Sequence, residues 1–541
     1  MKKLFVIFLI LFIFCNISSS QFVLQYKFLE ANSIRSIIWN TGVFDQDPRT
    51  TNTPGFEWPK GSSKFAVFTA GMCLSAKVNG FIRQAMASYK GEYYQGYCND
   101  SIAITNSNFK IYKVNAGDNS SSNPDWANWG LMVPFGAPYY DVNNNGIYEP
   151  TIDLAGVRNA ASTIFICMTD GFTGTHTVTE GFGGGTLPLY AEVHMTAWAY
   201  SQPSYTDMQF IKYVIINKSK KQWANTYFAI VSDPDLGDPN DDYIGCDTAN
   251  HANLGYCYNG KNNDNEYGTA PPASGIIFLK GITNKSVTPN VNLGLTSFVF
   301  FINGALLPNC ETSPGYSLEA HNYLKGMKRD STPFMYPLVN PPTRTKFCYT
   351  GDPETNVNWV EIKGSIKNCG GDTTANTIQS TNPFGDRRFV MSSGADNFIF
   401  NVGDTQTVYL CQLIARGTSN LNSVTKLKQL AVTAKVFFNS GFTIGVNQIS
   451  SVIPEKFGLF QNYPNPFNPS TNIKYQITHN EFVILKIFDI TGREVESLVN
   501  ENQSPGTYEI SWNASNYPSG VYFYKLQAGD FVETKKMILL K

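Results

Sequence analysis

Short apolar runs separated by glycine- and asparagine-rich turns fill most of the chain and restrict its fold more than any other feature. Polar and apolar residues alternate within Met195–Tyr200 and Gln209–Ile216, as expected of half-buried strands. Asn79 and Gly80 tolerate the positive φ of a tight hairpin turn between two such runs. Aromatic residues make up 14% of the chain and charged residues 15%, a composition that suits packed, pleated surfaces. The pattern predicts an all-β body over residues 21–445, rich in β-sandwich structure, as one unit or two subdomains.

One segment has the period of a helix instead. From Asn420 to Phe438 the apolar residues recur every three or four positions, and Gly441 follows the last of them. This spacing places the apolar side chains on one face of an amphipathic helix. We expect this single helix to pack on the body near its C-terminal end.

The N-terminus has the three-part layout of a secretory signal peptide. Lys2 and Lys3 precede an apolar stretch over residues 4–14, and small residues stand before a cleavage point after Ser20. The stretch is shorter than the roughly 20 residues that span a bilayer. A lipoprotein signal at Cys15 is the alternative. We predict a signal peptide over residues 1–20 and a mature protein that is soluble or surface-attached.

The charge balance argues against a polyanionic partner. The chain has 41 Lys and Arg against 42 Asp and Glu, for a net charge of −1. Nucleic-acid binding needs a concentration of basic residues on one face. We therefore expect no nucleic-acid partner.

Ten cysteines are present, and removal of the signal peptide leaves nine. No pair or cluster has the spacing of a zinc site. Export permits disulfides, and the sequence offers Cys246 with Cys257, then Cys348 with Cys369. Burial of most cysteines as small apolar residues remains an equal alternative. Because nine is odd, at least one thiol should stay free, as in the strands around Cys167 or Cys411.

The last 85 residues, 457–541, carry a recognisable series of motifs. A segment from Gln461 to Thr471 is rich in Asn and Pro, and turn and strand blocks follow it in a fixed order. This series resembles the type A C-terminal sorting domain of the type IX secretion system, and also the Ig-like module of flagellar hook-capping proteins. The residues that carry the resemblance, and to which it assigns the sorting signal, are Tyr463, Pro464, Asn465, Pro466, Phe467, Asn468, Pro469, Gly492, Arg493, Gly520, Tyr522, Lys535 and Lys536.

The residue pattern of this domain agrees with a sandwich fold. Ile473, Tyr475 and Ile477 alternate with polar residues, and about seven short strands fit into the segment. We predict an Ig-like β-sandwich over residues 457–541, joined to the body by a polar linker over residues 446–456.

The resemblance implies a route and partners. The chain would reach the periplasm, and the outer-membrane translocon would recognise its folded tail and pass the protein to the cell surface or the medium. A sortase of the same system would then remove the tail, with attachment to lipopolysaccharide as one outcome.

A calcium loop is the clearest chemical motif of the body. Asp141, Asn143 and Asn145 stand at positions 1, 3 and 5, with a glycine at position 6, so that hard oxygen ligands converge while the backbone turns. The loop resembles those of dockerins and EF-hands. It departs from them at position 12, where Ile152 replaces the acid, and Glu149 or Asp153 would have to serve. We expect a Ca²⁺ site here, with a plain Asn-Gly turn as the alternative.

A second acidic run contains Asp233, Asp235, Asp238, Asp241 and Asp242. Carboxylates this close repel one another unless water or a cation offsets their charge. A solvated loop and a second calcium site both remain open.

No nucleophile elbow, HExxH motif or phosphate loop occurs in the chain. His194 lies in an apolar strand, where a core histidine is expected, and Glu180 with Glu192 or Asp207 with Asp233 are the only acid pairs considered for glycoside hydrolysis. Much of the body resembles uncharacterised exported proteins with the same tail. We therefore expect an exported structural or binding protein, such as an adhesin with a glycan or protein ligand, rather than an enzyme. The alternative is an extracellular hydrolase of polysaccharide or protein.

Overall fold

A computed structural model describes residues 22–540, except 51–52, 144, 250–251, 304–307, 368, 370–377, 382, 443–446, 451–453 and 515–516. The predicted signal peptide lies outside the described residues. Antiparallel strands dominate both the body and the C-terminal domain, which confirms the all-β prediction.

The first large sheet of the body has nine strands. Its longest strands, Thr69–Val78 and Trp223–Asp233, pair along most of their length. The hairpin predicted at Asn79-Gly80 is confirmed, because Phe81–Ala85 returns along Thr69–Val78. In spatial order the sheet runs Tyr26–Leu29, Ser36–Trp39, Val43–Phe44, Thr69–Val78, Trp223–Asp233, Arg387–Gly394 and Ser297–Ile302, with Phe81–Ala85 and Ile399–Phe400 attached at its sides.

The second large sheet also has nine strands. Its order is Tyr94–Gln95, Ser162–Thr169, Ala191–Ala199, Met208–Asn217, Thr405–Ala415, Ala273–Lys280, Leu254–Asn259 and Asp242–Asp247, with Tyr112–Asn115 beside Ser162–Thr169.

The two sheets pack face to face through a shared apolar core. Phe228 of the first sheet lies between Tyr213 and Phe278 of the second, with ring centroids 5.6 and 6.0 Å away. The body is thus a β-sandwich, as predicted.

Strand Ala191–Ala199 is buried at every position, although alternation predicted a half-buried strand. Its far face is covered as well, because two further clusters of buried residues lie on the outer side of the second sheet. The helix Asn420–Asn439 supplies one of these covers. This confirms the predicted amphipathic helix, which Ser419 caps by accepting a hydrogen bond from the Asn422 backbone N–H.

Short elements occupy the loops of the body. Helical turns are Pro124–Ala127, Trp129–Leu131, Val133–Phe135, Thr173–Thr175, Pro203–Tyr205, Pro239–Asp241, Asn309–Glu311, Ser317–Leu324 and Glu361–Lys363. Two-stranded pairs are Gln46–Asp47 with Thr53–Pro54, Phe56–Glu57 with Phe65–Val67, Tyr97–Asn99 with Ile102–Ile104, Tyr139–Tyr140 with Leu154–Ala155, Asn263–Asp264 with Gly268–Thr269, Thr283–Asn284 with Val291–Asn292, Phe334–Tyr336 with Thr343–Thr345, and Ser365–Lys367 with Ile378–Thr381.

The C-terminal domain contains two four-stranded antiparallel sheets around its own apolar core. One sheet runs Asn447–Ser450, Gly506–Asn513, Ser470–Ile477 and Gly458–Leu459. The other runs Glu494–Gln503, Glu481–Asp489, Gly520–Ala528 and Phe531–Leu539. Strand Asn447–Ser450 falls within the segment predicted as a linker, 446–456, so this domain begins earlier than its sequence motifs indicate. Polar composition alone had hidden an edge strand whose backbone pairs with Gly506–Asn513.

The predicted disulfides are wrong. Cys369 bonds to Cys310, whereas Cys246, Cys257 and Cys348 are free and buried. Cys246 stands opposite Gly255 in the ladder, so Cys257 is its diagonal neighbour, at about 7–8 Å between Cα atoms for such positions. That spacing exceeds the reach of a disulfide. Cys167 and Cys411 are free, as expected.

Among the described residues, no helix combines the length and the apolar character needed to cross a membrane.

Candidate functional sites

The Asn- and Pro-rich opening of the C-terminal domain lies along its last strand. Phe467 is buried, and its backbone exchanges hydrogen bonds with Ile538 and Leu540. The side-chain oxygen of Asn465 accepts a hydrogen bond from the Ile538 backbone N–H at 3.0 Å. Tyr463 is 81% exposed, and Pro464, Pro466 and Asn468 are exposed beside it, with Pro469 half-buried. One buried ring therefore anchors a segment that faces solvent.

The other predicted sorting residues lie mainly at the same end of the sandwich. Gly520 pairs with Leu539, the residue that bridges to Phe467. Asp489 pairs with Tyr522 and begins the turn that contains Gly492 and Arg493. Arg493 contacts the Asp489 carboxylate at 3.0 Å and is otherwise open to solvent. Hydrogen bonds from Thr491 and Arg493 lower the pKa of Asp489. Lys535 and Lys536 lie farther along the last strand.

Three residues of the motif were not assigned to the signal but hold it in shape. Asn462 is buried, and its side-chain amide donates hydrogen bonds to the Pro464 carbonyl and to the Thr471 hydroxyl. The Tyr524 hydroxyl accepts from the Asn462 backbone N–H and donates to the Phe460 carbonyl. A sequence signal was available for Asn462, because an Asn beside a proline segment often forms a turn.

The predicted calcium loop turns back on itself. The Asp141 carboxylate accepts hydrogen bonds from the backbone N–H groups of Asn145 and Gly146 at 3.2 and 2.7 Å. Asp153 accepts from Val142 and Glu149 at 2.9 and 2.7 Å. Asp153, which follows position 12 of the loop, thus lies beside the first residues of the loop.

The remaining predicted ligands close the same loop. The side-chain amides of Asn143 and Asn145 both donate to Glu149, at 2.8 and 2.5 Å. Hydrogen bonds thus link Asp141 and Asp153 to the loop backbone and Asn143 and Asn145 to Glu149. The carboxylate oxygens of Asp141, Glu149 and Asp153 do not gather within 4.8 Å of one another.

The acidic run separates into two groups. Asp233 and Asp235 lie close to Asp386, which directly precedes the strand Arg387–Gly394. One carboxylate oxygen of each of these three residues lies within 4.8 Å of those of the other two. Arg388 pairs with Asp233 at 2.9 Å and with Asp386 at 2.8 Å. Burial, followed by repulsion from Asp233 and Asp386, raises the pKa of Asp235. Part of the charge repulsion is thus offset by Arg388 within the protein.

The other members of the run serve the backbone. Asp242 is fully buried and accepts from the Leu236 backbone N–H at 3.0 Å. The Asn259 side-chain amide donates to Asp241. Asp238 accepts from the Asn240 backbone N–H at 3.0 Å. These contacts are those of a hydrogen-bonded loop.

The acids considered for hydrolysis have structural partners. Glu180 is fully buried and accepts hydrogen bonds from the backbone of Ser88, Tyr89 and Phe182. The Asp207 carboxylate accepts from the Trp58 indole at 2.8 Å. Acids used in this way hold loops rather than face a substrate.

An open groove is lined by residues 22–24 together with residues 39–50 and 89–94. Its volume is about 430 Å³, within the range of roughly 300–1,000 Å³ typical of ligand sites. Aromatic residues give it apolar walls, with Phe22 and Tyr94 in edge contact at 4.9 Å. Gly91 lines the groove. The position requires glycine, because its φ is +81° and a Cβ atom there would come within 2.2 Å of the Thr41 carbonyl oxygen.

Two polar atoms of the residues that line the groove have no partner. Thr41 Oγ1 and Gln46 Oε1 are buried and accept or donate no hydrogen bond to any described residue. An unsatisfied buried polar atom costs about 1–3 kcal/mol. The lining carboxylate Asp47 is already paired with Arg49. These two atoms are buried beneath the wall of the groove, and its lining provides no pair of free acids.

Comparison with known proteins agrees with the features of the C-terminal domain. Residues 461–540 match the model of a family described as the secretion system C-terminal sorting domain. The chain thus belongs to the class of exported proteins that carry such a tail. In particular, it is directed to the type IX secretion machinery and to the outer cell surface or the medium.

The comparisons that extend over the body are weaker. No curated protein matches the chain. Among solved structures, a polysaccharide lyase is 7% identical with a TM-score of 0.19, and the match covers 64% of this chain and 34% of the lyase. PorZ, an essential surface component of the type-IX secretion system of Porphyromonas gingivalis, is 11% identical with a TM-score of 0.13, over 74% of this chain and 47% of PorZ. The chain spans less than half the length of either protein, and at these TM-scores neither fold nor function is transferred.

Proposed function

We propose that the protein is an exported surface protein whose body binds a ligand, such as a glycan or a protein, in the groove lined by residues 22–24, 39–50 and 89–94. The observation that carries this proposal is the aromatic lining of an open groove of ligand size, which includes Phe22, Trp39 and Tyr94. Sugars present both apolar ring faces and hydroxyl groups, which suits aromatic rings beside hydrogen-bonding atoms. An adhesin is the function of this type that fits a surface location.

A glycan array tests the groove. The full chain should bind members of the array, and Phe22→Ala, which removes a groove ring that is 39% exposed, should weaken binding by about fivefold to tenfold, the equivalent of ~1 kcal/mol. Tyr94→Ala should also weaken binding, whereas Tyr316→Ala, which removes a tyrosine 73% exposed elsewhere, should not.

The same array separates binding from hydrolysis. Any bound glycan is incubated with the protein and its products are measured. Turnover that depends on groove residues would favour the alternative, an extracellular hydrolase of polysaccharide. Binding without turnover supports the proposal, and failure of every glycan and surface-protein probe to bind would contradict it.

We propose that the translocon recognises the end of the C-terminal sandwich where the 463–469 segment meets Gly520 and the Gly492-Arg493 turn. A sortase would then remove the tail, and the product would be released or joined to lipopolysaccharide. Deletion of residues 447–541, which removes the whole domain including its first strand, should leave the body in the periplasm. Cell fractionation measures this, and normal surface delivery of the deleted form would contradict the proposal.

Point variants then locate the recognised surface. Arg493→Ala should reduce surface delivery, because Arg493 is exposed at that end. Lys525→Ala removes another exposed basic residue, which pairs with Thr534 farther along the last hairpin, and should leave delivery unchanged. Equal effects of the two variants would show that this end is not the contact surface.

We also propose that the 141–153 loop binds Ca²⁺ through oxygens of Asp141, Asn143, Asn145, Glu149 and Asp153. The position of these five oxygen-bearing side chains in one hydrogen-bonded loop supports the proposal, and calcium outside the cell would rigidify the loop.

A further inference from the structure

Three side chains of different chemistry meet on the outer face of the second sheet. Strands Ser162–Thr169 and Ala191–Ala199 are antiparallel neighbours, and Cys167 stands directly opposite His194. Directly opposed residues project to the same face. Glu192 is two positions from His194 on its strand, so it projects to that face as well.

The ligand atoms of these residues are close and buried. One atom each of Cys167, Glu192 and His194 lies within 4.8 Å of the other two. His194 Nε2 is 3.0 Å from Glu192 Oε1. Cys167 is 1% exposed, Glu192 3% and His194 9%. The imidazole edge is therefore the side on which solvent reaches the cluster.

The surroundings orient the cluster. The Cys98 backbone N–H donates to Glu192 Oε2 at 3.0 Å, which leaves Oε1 turned toward His194. Lys218 Nζ lies 3.8 Å from the same Oε1. Gly136, with φ +86°, leaves room for the ring, because a Cβ there would come within 2.9 Å of His194 Nδ1. The Cys167 thiol donates to the Gly96 carbonyl at 3.2 Å.

We propose that Cys167, Glu192 and His194 form a zinc site with three protein ligands and a fourth, open position. Thiolate, imidazole and carboxylate are the ligands that Zn²⁺ uses, at about 2.3 Å for sulfur and ~2.0–2.2 Å for nitrogen and oxygen. Hard cations such as Ca²⁺ prefer oxygen ligands alone, which separates this site from the 141–153 loop. The open position faces the exposed edge of His194.

Binding replaces protons by the metal. The ion takes the place of the thiol proton of Cys167, which passes to solvent, and uses the Nε2 lone pair of His194, so that any ring proton resides on Nδ1. Because the thiol must lose its proton to bind, metal binding should weaken as the pH falls.

Cobalt substitution tests the proposal on the full chain. The protein, with its Cys310–Cys369 disulfide kept intact, is freed of metal with a chelator and titrated with Co²⁺, which takes the place of Zn²⁺ and absorbs visible light. One equivalent should bind with a sulfur-to-cobalt charge-transfer band and the strong visible bands of four-coordinate Co²⁺, and added Zn²⁺ should abolish both. Co²⁺ in the oxygen-only 141–153 loop would give no sulfur band.

Variants decide whether the three residues are the ligands. Cys167→Ser should remove the sulfur band, and Glu192→Gln should weaken Co²⁺ binding at least about tenfold, since changes even around a metal site typically cost 10–100-fold. Cys411→Ser removes another buried free thiol of the same sheet and should leave the spectrum unchanged. Should Cys167→Ser fail to fold, His194→Gln carries the same test at the more exposed ligand. Absence of the sulfur band in the unaltered protein, or its persistence in Cys167→Ser, would overturn the proposal.

Discussion

Tyr463 and Phe467 are four residues apart in the same motif but have different physical roles. Tyr463 is exposed, whereas Phe467 packs against Trp512 with ring centroids 5.6 Å apart. A motif of this kind therefore contains residues that hold the domain together and residues that a partner can contact. Sequence similarity marks both without distinguishing them.

Substitutions at these two positions should differ in stability. Phe467→Ala leaves a cavity in the core of the C-terminal domain and should cost about 3–5 kcal/mol, as for other buried aromatic rings. Tyr463→Ala should change the stability by less than ~0.5 kcal/mol. Hydrogen exchange of peptides from the strands Ser470–Ile477 and Phe531–Leu539 measures this locally. If the amides of these strands were equally protected from exchange in the two variants, the assigned roles would be wrong.

At the scale of residues, the sequence identified interacting residues better than it identified the residues that they contact. Asp233 and Asp235 were identified as an acidic pair, but Asp386 and Arg388 lie about 150 residues later and join them only through the pairing of distant strands. Cys369 was likewise expected to be bonded, but its partner Cys310 could not be chosen from spacing. Long-range contacts of this type depend on sheet order, which local periodicity does not contain.

At the scale of elements, local patterns were more informative. The helix Asn420–Asn439 and the hairpin at Asn79-Gly80 both follow from signals within a few residues. The predicted half-burial of Met195–Tyr200 was wrong because a second layer covers the sheet. Alternation along a strand does not by itself show that one of its faces is solvated, because a second layer can bury both faces.

The covering helix offers a test of this second layer. Leu427 is fully buried and packs on Gly275 of the second sheet. The contact is close, because a Cβ atom at Gly275 would lie 3.2 Å from a Leu427 methyl group. Leu427→Ala should lower the free energy of unfolding of the body by about 2–5 kcal/mol. Val432→Ala, at a helix position 61% exposed, should change it by less than ~0.5 kcal/mol or raise it slightly, because Ala favours helices. Urea denaturation compares the two variants, and equal losses would show that the buried face is not the stabilising one.

The 141–153 loop is the second element with a measurable effect. If the loop binds Ca²⁺ only when folded, calcium at about 100 times its Kd should stabilise the protein by ~2.7 kcal/mol. The melting temperature should therefore be higher in calcium than in a chelator, and Asp141→Ala should remove the difference. Asp330→Ala changes an exposed aspartate that accepts a similar turn hydrogen bond from Thr332 and should preserve it. An unchanged melting temperature in the unaltered protein would contradict the calcium proposal.

At the scale of the whole molecule, the sandwich encloses several carboxylates. Asp170 is fully buried, where it accepts hydrogen bonds from the backbone of Leu189 and Ala191, each at 2.6 Å. Glu92 accepts from Gly185 and Met86. His176 lies 3.6 Å from both carboxylates. These groups fasten the loops around residues 170–190 to the first and second sheets, so their ionisation bears on the stability of the entire body.

This burial should make the body less stable as the pH rises. Desolvation raises the pKa of Asp170 to about 7, against the hydrogen bonds that favour its charged form. Between the unfolded pKa near 4 and about 7, the folded chain binds more protons than the unfolded chain, so the free energy of unfolding falls with pH across that window. At about 1.4 kcal/mol per pKa unit, Asp170 alone should account for a loss of ~2–3 kcal/mol between about pH 5 and about pH 8.

Urea denaturation at a series of pH values measures this loss, and Asp170→Asn assigns it. The amide of the variant would face the N–H groups of Leu189 and Ala191, so Asp170→Asn should be less stable at every pH. Its pH dependence should nevertheless be flatter, because the group that ionises has been removed. Asp100→Asn, at an exposed aspartate, should keep the slope of the unaltered protein. A slope that survives in Asp170→Asn would mean that other carboxylates of the interior, such as Glu92 or Asp233, control how the folded body responds to pH.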